Sequence, residues 1–184
     1  MNNNYVELKL DIFPFTHPVD HLLNTGWPEN RMDKLHSIDF LNPELITFFR
    51  NHDVKLRDTF LLINWWTLRN RPPHTDGNWF STDKIIKKRQ CGINWNFTPG
   101  TWLEFYSMEN AIPNFDPKGR IDDATTWSNA NTVIDRWDSA GPVIFNPQIP
   151  HKVKSLPHIQ RRASCTLRFE ETYKSLCEKL SEYI

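Results

Sequence analysis

Three side chains set the chemistry open to this chain. His74 and Asp76 stand in PPHTDG, and His151 stands in FNPQIPHKV. Two imidazoles and one carboxylate form a donor set that holds a divalent iron on one face and leaves positions open for reactants. In a strand, residues i and i+2 point to the same side, so His74 and Asp76 can reach one metal together. A single His-x-Asp is a weak signal in a chain with seven histidines, and Asp76-Gly77 is also turn chemistry. Context strengthens it. The strand-like TFLLINWWTL precedes the first pair, and His151 follows the strand-like PVIFN and the turn NPQIP. In a jelly roll, strands far apart in sequence become neighbours, so a wide gap between ligands is expected.

A second constellation lies downstream. RASCTLRF, residues 162–169, splits by alternation into Ala163, Cys165, Leu167 and Phe169 on one face and Arg162, Ser164, Thr166 and Arg168 on the other. A polar face of this kind is ordinarily the solvent face. The alternative is a pocket for a carboxylate, since arginine makes bidentate, charge-assisted bonds to that group and a hydroxyl two residues on reinforces them. Arg162 with Ser164 fits the role. Arg168 is placed to reach a second carboxylate or a structural partner, and Arg161 points to the other side. The remaining histidines carry less: His17 and His21 read as capping or packing groups, and His36, His52 and His158 stand alone.

The elements that must position these groups follow from periodicity. YVELKLDIF (5–13) alternates as a strand, and THPVDHLLNTGW (16–27) reads as a short helix. LNPELITFFRNHD (41–53) predicts a helix with Asn42 as N-cap and Pro43 at the first position. From residue 59 the period changes to seven or eight short strands rich in Val, Ile, Thr and aromatics, separated by Pro- and Gly-containing turns. The end, 170–184, spaces Tyr173, Leu176, Cys177, Leu180 and Tyr183 as one helical face that should pack on the sheet. The expectation is a mainly β single domain over 1–184. Its core would be a jelly roll of about 59–170 with flanking N- and C-terminal helices.

The bulk numbers exclude several classes. Lys+Arg and Asp+Glu both count 22, so no strong field draws the whole chain to nucleic acid or to an anionic membrane. Hydrophobic content of 39% and charged content of 24% are those of a globular protein. Three cysteines without a CxxC pair are not a secreted disulfide framework. Neither a basic-plus-apolar leader nor an apolar run of about 18 residues is visible, and the expected setting is a reducing cytoplasm. Residues 107–131 read as a long irregular loop and a candidate lid, where Phe115 and Trp127 stack on a ligand or anchor the loop to the core. The run Lys84, Lys87, Lys88, Arg89 reads as a solvated helix face rather than an anion site.

His-x-Asp, a distant His and then Arg-x-Ser together resemble the 2-oxoglutarate and Fe(II)-dependent oxygenase superfamily, over roughly residues 60–170. The resemblance implies a double-stranded β-helix (jelly-roll) core. It implies His74, Asp76 and His151 as iron ligands, and Arg162 with Ser164 at the distal carboxylate of 2-oxoglutarate. Asn64 and Trp66 resemble the Asn-x-Tyr that stands before the first histidine in nucleic-acid repair members, although Trp66 lacks the phenol hydroxyl. The implied cofactors are Fe(II), 2-oxoglutarate as co-substrate and O2. The implied reaction is a dioxygenase or hydroxylase reaction, in which oxidative decarboxylation of 2-oxoglutarate drives oxidation of a small molecule or peptide side chain. Two other readings stay open. One is a cupin-like metal enzyme of another class, disfavoured because PPHTDG supplies a single histidine. The other is a non-catalytic binding or structural jelly roll that tolerates loss of His74.

Overall fold

The computed structural model describes residues 2–16, 41–64, 72–76, 90–114, 124–138, 141–159 and 162–184. It is mainly β, with two sheets. The five-stranded sheet contains β1 (Tyr5–Glu7), β2 (Leu56–Asn64), β4 (Gly92–Asn96), β9 (Val143–Phe145) and β11 (Arg162–Phe169), in the order β1-β9-β4-β11-β2. The six-stranded sheet contains β3 (His74–Asp76), β5 (Thr101–Tyr106), β6 (Ile112–Asn114), β7 (Ala124–Ser128), β8 (Val133–Trp137) and β10 (His151–Ser155). Its order is β6-β7-β3-β10-β5-β8. Every named pairing is antiparallel. The expected run of short strands from residue 59 onward is present, and two sheets packed together are the coarse outcome of that pattern.

Strand parity builds two cores. On the outer face of the five-stranded sheet, Ile93, Trp95, Ile144, Cys165, Leu167 and Phe169 pack against two helices. Helix α1 (Pro43–Asn51) contributes Leu45 and Phe49. It starts as the sequence predicts: Asn42 caps it by accepting from the Glu44 amide at 3.0 Å, and Pro43 opens the first turn. Helix α2 (Tyr173–Lys179) buries Leu176, Cys177 and, just beyond, Leu180 on the same face. Between the sheets, Leu103, Phe105 and Trp137 meet Val143 and Phe145. One side of the sandwich is closed by the N-terminal strand: the Tyr5 hydroxyl donates to the Arg136 carbonyl at 2.9 Å, and Asn2 and Asn4 donate to Asp135.

The parity of β11 leaves Arg162, Ser164, Thr166 and Arg168 facing the interior between the sheets, next to Asn94 and Asn96 of β4. All but Thr166 are buried, so the solvent-face reading of this stripe does not hold. All three cysteines are buried free thiols. Burial raises the pKa of each, so these thiols stay protonated and chemically quiet.

His74–Asp76 is a strand, as the alternation argument required, and not the turn that Asp76-Gly77 also allowed, because β7 and β10 both pair with it. One local expectation changes. The stretch 107–131 is not one irregular loop: β6 and β7 pair within it, and residues 115–123 lie outside the described residues. The helix expected at 16–27 also falls almost wholly outside them, as do His17, His21, His36, Trp66, Lys84, Lys87, Lys88, Arg89, Phe115 and Arg161. Among the described residues, no helix is long and apolar enough to cross a membrane.

One glycine is sterically required. A Cβ on Gly92 would stand 2.8 Å from Phe145 Cε1 and 3.2 Å from the Leu167 carbonyl oxygen. Gly92→Ala is expected to destabilise the fold by about 1–3 kcal/mol, since the Phe145 ring must shift in a packed core. Urea unfolding checks this, and an unchanged midpoint would contradict the packing described.

Candidate metal centre

The site is built by register. His74 of β3 is the Cα partner of His151 of β10, and Asp76 follows His74 by one alternation. The intervening Thr75 points the other way, where its hydroxyl accepts from Trp127 Nε1 at 3.1 Å. Trp127 thus anchors its strand to the outer side of the site, with its ring buried beside Tyr106 and Ala130. Of the two roles considered for this residue, the structure shows the anchoring one.

The inner side gathers the donors. One ligand atom from each of His74, Asp76 and His151 lies within 4.8 Å of the others, so the group could hold a metal ion. Asp76 Oδ1 stands 4.0 Å from Nε2 of each histidine. The two imidazole centroids are 4.6 Å apart. Donors bound to one ion at about 2.1 Å stand about 3 Å apart, so side-chain movements of about 1 Å close the set. His151 is prepared for this. Its Nδ1 lies 2.9 Å from the Ile149 carbonyl, which can only accept, so Nδ1 carries the proton and Nε2 presents its lone pair. Such a bond to a backbone carbonyl is how metal-binding histidines are held in one tautomer.

The walls are unequal. His151 is buried, with Phe145 edge-on at 5.7 Å and Phe105 at 6.4 Å, whereas His74 and Asp76 stay partly exposed. The apolar side limits water at His151, while the His74 and Asp76 side chains keep 12% and 19% of their surface exposed.

Arg162 is the electrostatic anomaly of the interior. It is 7% exposed, and its Nε lacks a hydrogen-bond partner. It makes no ion pair among the described residues. Burial alone pushes its pKa down to about 10. A guanidinium held this way costs stability unless an anion joins it. Arg168 sits six residues on, roughly 20 Å along the strand. Its register row runs through Gly92 to Phe145, the residue whose ring meets His151. Arg168 therefore lies toward the triad and Arg162 toward the far end of the stripe. Asn64 closes β2 as the Cα partner of Arg162. Ser164 is paired with Asn96 of β4, whose side chain is engaged with Thr101 by bonds of 2.9 and 3.0 Å.

Sequence reasoning named the three donors but not what holds them. The Ile149 carbonyl, the Thr75–Trp127 bond and the grip of Gln148 on the Asp76 backbone emerge only from the fold. The Asn-Pro of NPQIP signals a turn. It gives no sign of which strand that turn will touch.

No protein-family model matches the chain, and no curated protein matches it either.

Two outcomes are expected. Asp76→Ala and His151→Ala should each abolish binding of one Fe(II) or Co(II) per chain in anaerobic titration, while His158→Ala, an exposed position, should bind as the unmodified protein does. Loss of binding in His158→Ala would place the distal ligand elsewhere. In the protein without ligands, Arg162→Met should raise stability by roughly 1–4 kcal/mol, the reverse of an ordinary core substitution. The sign follows from linkage. The folded-state pKa is depressed, so the cost persists through neutral pH and is relieved only as pH rises through about 10. Destabilisation measured by urea unfolding at pH 7 would mean that Arg162 already has a compensating partner.

Proposed function

We propose that the protein is a non-haem Fe(II)- and 2-oxoglutarate-dependent oxygenase, a hydroxylase in its simplest form, on a jelly-roll fold. The observation that supports this reading is Arg162, a buried cation with no ion pair among the described residues, facing the same interior as a His-Asp-His donor set. A dicarboxylic co-substrate supplies what each end lacks: a chelating keto acid for the metal and a distal carboxylate for the guanidinium. His74, Asp76 and His151 would hold the iron. When bound, it supplies a Lewis-acidic centre with open positions for the keto acid and O2.

The chain's own residues do the rest. Arg162 and Ser164 bind the distal carboxylate, which offsets the cost of burying the arginine. Asn94, Thr166 and Arg168 line the stretch of interior between that anchor and the triad. Phe105 and Phe145 exclude water from the His151 side. The substrate, a small molecule or peptide side chain, enters from the partly exposed β3 side.

The test is anaerobic addition of Fe(II) and then 2-oxoglutarate, read as the visible charge-transfer band of the chelate. The unmodified protein should develop the band and Asp76→Ala should not. Arg162→Ala should require about 100-fold more 2-oxoglutarate, as expected for loss of a buried charge-assisted pair, with Fe(II) affinity unchanged. Iron binding without a band at any 2-oxoglutarate concentration would sink the co-substrate assignment. A normal band in Arg162→Ala, with loss in Arg168→Ala, would move the anchor to Arg168.

A further inference from the structure

The turn between β9 and β10 holds both halves of the donor set. Its Ile149 carbonyl fixes the His151 ring, as described. Its other contacts fall on Asp76. The Pro147 carbonyl accepts from the Asp76 amide at 2.8 Å, and Gln148 Nε2 donates to the Asp76 carbonyl oxygen at 2.9 Å. Asp76 ends β3, where β7 still pairs with it on one side but the β10 ladder stops at His74. The Gln148 amide and the Pro147 carbonyl supply the two bonds that the ladder would have made.

The turn is itself rigid. Asn146 Oδ1 accepts from the Gln148 amide at 3.1 Å, and the Ile149 amide donates to the Asn146 carbonyl at 3.2 Å. Asn146 is tied to the N-terminal segment through its amide to the Asn4 carbonyl and its Nδ2 to the Asn3 carbonyl. Gln148 is thus a half-buried side chain on a hydrogen-bonded turn, and its Nε2 reaches the backbone of the carboxylate-bearing residue of the triad.

We propose that Gln148 is a positioning residue for Asp76, holding its backbone so that Oδ1 stays directed between the two imidazoles. The assignment rests on the metal reading above. It concerns the direction of the carboxylate rather than its presence. A primary amide suits the position because it donates without adding charge beside an anionic ligand.

Co(II) alone is the probe, added to the full-length protein, with affinity and the visible d–d spectrum as readouts and thermal unfolding as the control. Gln148→Met keeps length and loses the donor; Gln148→Glu sets a carboxylate against the Asp76 carbonyl. Both should leave the melting temperature of the metal-free protein within a few degrees. Gln148→Met should weaken Co(II) binding about tenfold and change the d–d spectrum, as loss of an outer-layer bond to a ligand does. Gln148→Glu should weaken it further. Unchanged affinity and spectrum in Gln148→Met would overturn the proposal while leaving the metal site intact. Unfolding of both variants would also overturn it, by making Gln148 a fold scaffold. Absence of Co(II) binding in the unmodified protein is a separate outcome: it removes the metal reading itself.

Discussion

The pairing of β3 with β10 is the constraint on which the site depends. A three-residue strand carries two of the three donors, and its alternation decides everything: His74 and Asp76 inward, Thr75 outward. A slip of one residue would turn Thr75 to the interior and both donors away from it. Three contacts oppose that slip. Trp127 grips Thr75 from the outer side, β7 pairs along the whole strand, and the 146–150 turn holds the last peptide. The short strand is thus defined less by its own propensity than by what is packed on each side of it.

The interior between the sheets is divided in the same way. Near β9 it is apolar, with Phe145 and Val143 meeting Phe105, Leu103 and Trp137. Toward β11 it becomes polar, and two arginines are buried there. An interior tuned only for stability would be apolar throughout. Arg162 makes no ion pair among the described residues, so its burial lowers the stability of the protein without an anion. Under the proposed function, an arriving carboxylate offsets that cost. The proposed function gives the cost a reason, and Gly92 makes the arrangement possible by letting Phe145 lie against the sheet.

Much of this was legible in the sequence, for specific reasons. Helix α1 announced itself through Asn42 and Pro43, whose capping geometry is local. The two faces of β11 could be separated on paper because Cys165, Leu167 and Phe169 alternate with Arg162, Ser164 and Arg168. The donors His74, Asp76 and His151 were identifiable by type and order, and the fold brings them together. What could not be read were the non-local facts. Whether the polar face of β11 meets solvent or an interior depends on the second sheet, which no window of sequence contains. β6 and β7 were missed because Pro113, Asn114 and the polar residues around Thr125 carry turn composition, and pairing overrides it. Gln148 was invisible because its partner lies 72 residues away, on a backbone oxygen.

The central claim is that three side chains from two strands hold one metal ion. An anomalous difference map at the iron edge, from crystals grown anaerobically with Fe(II), tests it most directly. A single peak within bonding distance of His74 Nε2, His151 Nε2 and the Asp76 carboxylate is the expected result. A peak elsewhere, or none with these three side chains well ordered, would contradict the account.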